Sequence, residues 1–265
     1  MNYKFLNNLL SKNFTQYFPK TVNRKLLRRY GIFFVPTNLK ILPKSFYPIA
    51  TTLNEQIRLA ENYNPKDKLV KFNTKIDMDV FLKNLFKKRQ FNYLDVGGDN
   101  IDLYIKLNAK LNIKNYFIYN FKETVNIFKK IKSQFNIKNL YPIISIKKLK
   151  SIDLVYFGSS IHYFRNYNIF LKKIFKKKPK YIYFSGTTFF DDKIDMEKCV
   201  VKQTNILPQQ VYLYFFNLNK FINLFTRNGY KLVSYENNKF AKVDYKNFKP
   251  LLNKIKYLDI LFIKV

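Results

Sequence analysis

The chain has 265 residues, a formal charge of +32, 47% hydrophobic and 18% aromatic residues, and a single cysteine. One cysteine, Cys199, excludes an internal disulfide and a cysteine-based zinc cluster, so a packing or surface role in a reducing cytoplasm is expected. No apolar run approaches the roughly 20 residues of a membrane span, and Met1 to Phe14 lacks the small-residue cleavage site of a secretory signal.

The length suits one α/β domain with an N-terminal elaboration. Lys, Asn, Ile, Phe and Tyr are abundant while Gly is scarce, the profile that A/T-rich codon usage produces everywhere in a chain. The lysines are also spread, at Lys129, Lys130 and Lys132, at Lys147, Lys148 and Lys150, and at Lys172 to Lys178, as on solvated helix faces and loops. The expected consequence is a non-specific affinity for phosphate-bearing partners, including an anionic membrane face, with no specific nucleic acid.

Residues 1 to about 50 are basic and aromatic, with Arg24, Lys25, Arg28 and Arg29 before Gly31-Ile32-Phe33-Phe34-Val35-Pro36. They read as an arm, a partner or membrane contact, or a cap over a site mouth. Residues 51 to 90 read as a helical elaboration. Leu53, Ile57, Leu59 and Ala60 recur at helical spacing between a capping Thr52 and the stop Asn64-Pro65, and a second helix is predicted from about Asp77 to Lys88.

From residue 91 to 265 strand and helix signals alternate. Strands are predicted at 91–96, 115–120, 141–146, 152–157, 180–185, 230–236 and 257–264, with helices at 100–111, 122–135, 166–177 and 217–228. This order predicts a Rossmann-like α/β fold with a seven-stranded, mainly parallel sheet and helices on both faces. The run Leu258 to Lys264, reached through a long polar insertion, is expected to be antiparallel at or near a sheet edge.

The chain has six glycines. Gly229, in Asn228-Gly229-Tyr230, reads as a helix stop. Gly97, Gly98, Gly158 and Gly186 all fall just past the carboxyl ends of predicted strands, the edge where open α/β sheets bind ligands. In Leu94-Asp95-Val96-Gly97-Gly98 a strand runs into paired glycines and then a helix, a loop suited to bringing backbone N–H groups to a nucleotide cofactor.

These segments, with Ala60-Glu61-Asn62-Tyr63, Asp153 to Phe164, Pro179 to Phe184, Val201-Lys202-Gln203, Leu207-Pro208 and Phe221 to Tyr230, together resemble the class I, Rossmann-like S-adenosylmethionine-dependent methyltransferases. More narrowly they resemble a bacterial methyltransferase family associated with surface-polysaccharide gene clusters. The resemblance, spanning about Phe46 to Glu236, implies S-adenosylmethionine as cofactor, with Asp95, Gly97 and Gly98 under its methionine part and Tyr104 on the helix behind. It aligns Asn120 with an acidic residue that accepts the ribose hydroxyls, and it brings Gly158 and Ser159 to the cofactor's border. A second departure is Ser185-Gly186, where the family pattern tends to Asp-Arg.

Methyl transfer needs an acceptor held in line with the sulfonium and, for a hydroxyl, removal of a proton. His162, the only histidine, is the candidate base. Ser160, Tyr163, Ser185 and Thr187 are candidate lining, with Gln203 and Tyr212 reaching in from the segment after the fifth strand. Three functions stay open: an O-methyltransferase of a small molecule, sugar or lipid-linked glycan in the cytoplasm or at the inner membrane face, a nucleic-acid methyltransferase, and a methyltransferase fold retained for binding or scaffolding. The second lacks an Asn-Pro-Pro-Tyr-type motif.

Overall fold

A computed structural model of the chain describes residues 32–43, 52–61, 84–86, 89–190, 196–206, 209–238, 243–244 and 255–265. The helix expected at 77–88 and the polar insertion before the last strand lie mostly outside these residues. Among them no helix is long and apolar enough to cross a membrane.

The elements in order are β1 (Ile32–Pro36), α1 (Leu53–Glu61), β2 (Phe91–Val96), α2 (Ile101–Lys110), β3 (Ile113–Tyr119), α3 (Lys122–Gln134), β4 (Leu140–Ile143), β5 (Leu154–Gly158), a 3₁₀ turn (Ile161–Tyr163), α4 (Tyr167–Lys177), β6 (Tyr181–Phe190), β7 (Lys198–Ile206), β8 (Gln209–Asn217), α5 (Leu218–Thr226), β9 (Tyr230–Asn237), β10 (Val243–Asp244) and β11 (Ile255–Lys264). Local sequence explains the helices. In α4, Tyr167, Phe170, Leu171, Ile174 and Phe175 form one buried stripe at three- and four-residue spacing. The helix closes on a left-handed Lys178 just before Pro179, which cannot continue it.

The seven expected strands form the body of the sheet in the order β4-β3-β2-β5-β6-β11-β9. Neighbours from β4 to β6 are parallel, and β11 runs antiparallel between β6 and β9, one strand in from the edge. Starting at β2 the chain winds outward through β3 and β4, then returns to the other side of β2 as β5 and β6, so the winding reverses between β2 and β5.

β6 is longer than the sequence pattern suggested, and all ten of its residues are buried. Its far end, Phe189 and Phe190, outruns β5 and pairs with Phe216 and Asn217 of β8. There the β7–β8 hairpin, β1 and β10 extend the sheet to eleven strands. The segment read as an arm or cap is thus partly built into the body: Phe33 to Pro36 pair with Thr204 to Val201, and the buried Leu42 donates its N–H to the Tyr214 hydroxyl at 3.2 Å.

Both faces of the sheet are packed. Leu94, Val96, Phe157 and Phe184 meet α4 and α5 on one side. On the other side, Tyr93, Tyr116 and Tyr156 lie under α1, α2 and α3. Tyr93 and Tyr116 stack at 4.7 Å, and offset ring pairs of this kind add about 0.5–1.5 kcal/mol beyond the area they bury.

Candidate active site

The carboxyl ends of β2 and β5 flank the reversal of winding, the place where doubly wound sheets open a crevice. The loop after β2 holds Gly97 and Gly98. Gly97 has φ +81°, a conformation that costs a side-chain-bearing residue energy, and its N–H donates to the Tyr119 carbonyl at 2.8 Å. A Cβ at Gly97 would stand 2.6 Å from the Ser160 Cβ, and one at Gly98 would run into the Asp95 carboxylate. The loop is therefore closed over the chain's own side chains, and the glycine requirement follows from those neighbours before any ligand is considered. Ser160 completes the closure by donating its hydroxyl to the Val96 carbonyl.

Asp95 is 2% exposed. Burial lifts its carboxyl from the usual 3.8 to about 7, against the opposing effect of the Tyr116 hydroxyl that donates to Oδ2 at 3.0 Å. Its carboxyl lies where a Cβ at Gly98 would stand, turned into the protein.

Asn120 lies at the end of β3, as expected, with both ends of its amide engaged. Nδ2 donates to the Gly98 carbonyl at 2.8 Å, and Oδ1 accepts the Phe121 N–H at 2.7 Å. One N–H and one lone pair remain for a ligand. Beside it Phe121 is 65% exposed, an aromatic face the sequence reading passed over.

Gln56 was also missed. From α1, its Oε1 accepts the Ile101 N–H at 2.6 Å and its Nε2 donates to the Asp99 carbonyl at 3.3 Å. It thus caps α2 from outside, with Asn100 Oδ1 taking the Asp102 N–H at 2.7 Å. A polar residue in the stripe Leu53, Gln56, Ile57, Ala60 was the available signal.

Tyr104 does not face the loop. α2 carries it toward the amino ends of the strands, where its buried hydroxyl donates to Asn139 Oδ1 at 2.6 Å and its ring meets Tyr116 edge-on at 5.1 Å. The residue belongs to the core, and the cofactor contact expected of it is corrected accordingly.

After β5, Ser159 adopts φ +50°. Its N–H donates to the Ser185 carbonyl at 2.7 Å and its hydroxyl lies 3.0 Å from the Tyr257 hydroxyl. Gly158 is backed by the Tyr156 ring. The 3₁₀ turn that follows buries His162 to 2% exposure, edge-on to Tyr163 at 4.3 Å. Burial pushes the imidazole down to about 3, so it is neutral near pH 7 and too weak a base to draw a proton from a hydroxyl efficiently. The general-base expectation is corrected on that ground. Its Nδ1 has no hydrogen-bond partner.

Tyr163 and Gln203 are brought together, hydroxyl to Oε1, at 3.3 Å. Tyr212 is not with them: it pairs across the hairpin with Lys202 and packs on the α4 and α5 side of the sheet, whereas Tyr163 packs on the cluster of Phe190, Val201, Leu213 and Phe215.

Ser185-Gly186 forms a β-bulge. The pairing Phe184 to Ile260 and Thr187 to Leu258 leaves two residues of β6 opposite Asp259 alone, and Gly186 takes φ +63°. The Gly186 N–H and Asn238 Nδ2 donate to Asp259 Oδ1 at 2.7 and 2.8 Å. Asp259 Oδ2 and the buried hydroxyls of Thr187 and Thr188 have no partner. A carboxylate thus stands beside the departure from the family pattern, supplied by the last strand. Its signal was a lone charge inside the apolar run Leu258 to Ile263.

No protein-family model and no curated protein matches the sequence. Solved structures do. The 1,6-didemethyltoxoflavin-N1-methyltransferase of Burkholderia thailandensis, solved with 1,6-didemethyltoxoflavin and S-adenosylhomocysteine, superposes with a TM-score of 0.50 at 11% identity, covering 88% of this chain and 95% of that one. An S-adenosylmethionine-dependent methyltransferase of Clostridium acetobutylicum gives a TM-score of 0.47 at 13% identity, covering 78% and 98%. By strand order, the reversed β11 and the first of these likenesses, the chain has the Rossmann-like fold of the class I S-adenosylmethionine-dependent methyltransferases.

Proposed function

We propose that this chain is an S-adenosylmethionine-dependent methyltransferase that O-methylates a sugar or a lipid-linked glycan. The observation that carries the transferase reading is the coincidence of the Gly97-Gly98 loop and Gly158 with the point where the sheet reverses its winding, between β2 and β5. The acceptor class rests on the sequence resemblance to the polysaccharide-associated family.

The residues fit the cofactor in part. Gly97 and Gly98 would carry its methionine portion ahead of the α2 N-terminus, whose caps hold the loop in place. Asn120 keeps one donor and one acceptor for the ribose, and Phe121 offers an exposed face to the base. Bound there, the cofactor supplies an electrophilic methyl on sulfur. Ser159, Tyr163, Ser185, Thr187 and Gln203 are the acceptor-side candidates, and their work is orientation.

The double engagement of Asn120 by the protein favours a second reading, a fold kept for binding with catalysis lost. Incubation of the full chain with S-adenosylmethionine and a panel of sugar and lipid-linked glycan acceptors separates the two. Acceptor-dependent release of S-adenosylhomocysteine is expected. Cofactor binding without turnover on any acceptor class would leave the binding-protein reading standing instead.

A further inference from the structure

The amino ends of the parallel strands face away from the glycine loops, and among the described residues the charge there is one-sided. Lys150 precedes β5, Lys178 and Lys180 precede β6, and Lys231 is the second residue of β9, all of them exposed. The antiparallel β11 returns Lys264 to the same rim: its N–H donates to the Lys180 carbonyl at 2.9 Å. These residues are one contiguous surface, because Lys177 Nζ binds the Lys147 and Leu149 carbonyls at 2.9 and 2.6 Å, and Lys264 Nζ binds the Asn228 and Gly229 carbonyls at 3.1 and 3.0 Å.

Lys177 and Lys264 are engaged by main-chain carbonyls, Lys177 by those of the turn before β5 and Lys264 by those just past the end of α5. Lys178 caps the end of α4 and Lys180 Nζ lies 5.4 Å from the centre of the Tyr181 ring, while among the described residues no acidic side chain pairs with Lys150, Lys178, Lys180 or Lys231. Among the described residues the acid in this rim is Asp153, whose carboxylate accepts the Asn92 N–H at 2.7 Å. The opposite edge is mixed: Asp99, Asp102 and Glu123 stand among Lys106 and Lys122, and Lys106 pairs with Asp102 at 2.6 Å. Codon bias adds lysine without regard to place, so it does not explain why the described residues of one edge of the sheet carry almost no acid.

We infer that the amino-end rim is a docking surface for the phosphodiester backbone of a nucleic-acid duplex, bound through charge and without base reading. Lysine supplies compact point charges suited to a phosphate row. A membrane is the poorer occupant. A rim seated on lipid would turn the glycine-loop edge away from the bilayer, and the exposed Phe121 and Ile144 that an interface would absorb lie at that far edge.

The test measures binding of the full chain to duplexes of roughly 20 base pairs across about 50–200 mM salt, in separate DNA and RNA arms, beside vesicles containing phosphatidylserine. A rim variant (K150Q, K178Q, K180Q and K231Q) is compared with an equally charged control (K40Q, K122Q, K129Q and K130Q). Thermal unfolding confirms that both variants fold. The rim variant is expected to bind duplex at least tenfold more weakly and to lose about 3–4 from the log–log salt slope, with the control within threefold of the parent chain. Whichever nucleic acid binds more tightly names the source. Equal losses in the two variants would overturn the assignment, as would tight rim-dependent binding to vesicles with weak binding to both duplexes.

Discussion

Asp95 shows how much of a residue's role comes from its surroundings. Sequence placed it at the end of the strand that runs into the paired glycines, and that much was legible because strand, glycine pair and helix start are local signals. Its protonation was not, since the Tyr116 hydroxyl and the closed loop above it come from elsewhere in the chain. The folded pKa, about 7, lies above the ordinary 3.8, so the folded state holds the proton more tightly. The neutral carboxyl favours folding most fully at low pH, and that contribution fades as pH rises from about 4 through 7. Chemical denaturation at pH 5 and pH 8 is therefore expected to find a loss of about 2–3 kcal/mol that Asp95→Asn abolishes. An unchanged pH dependence in the variant would place the titration on another group. Gly97→Ala tests the loop itself: positive φ and the Ser160 contact predict a loss of about 1–3 kcal/mol by the same assay.

The elements that periodicity reads well are the ones it recovered. α2, α3, α4 and α5 fall within about two residues of their expected bounds, because each buries a stripe that its own sequence displays. The elements that depend on distant partners escaped. The extension of β6 beyond β5, the hairpin that meets it and the use of β1 as a strand are decided by pairing across a long stretch of chain. Gln56 is the same lesson in one side chain, since its partners belong to another helix. Replacing it with Leu strands the Ile101 N–H in a buried place, and Gln56→Leu is expected to cost about 1–3 kcal/mol in denaturant unfolding. Because that N–H anchors the helix behind the glycine loop, cofactor affinity should fall with it. Destabilisation with unchanged affinity would confine Gln56 to a structural role.

For the whole molecule, two edges of one sheet carry different side chains. The carboxyl edge gathers the glycine loop, Asn120, Phe121 and the Asp259 bulge, while the amino edge gathers lysine. The winding order forces the first grouping, since every loop after a parallel strand must emerge on one side. The fold follows from the strand alternation already in the sequence. Which side chains converge at that edge does not, because Asp259 and Tyr257 arrive there from the last strand. The central claim is that the main chain around Gly97 and Gly98 receives an adenosyl compound. Isothermal titration calorimetry of the full chain with S-adenosylhomocysteine is the most direct measurement: saturable one-to-one binding is the predicted result. Absence of heat, both in the parent chain and in an Asn120→Asp variant, would contradict it.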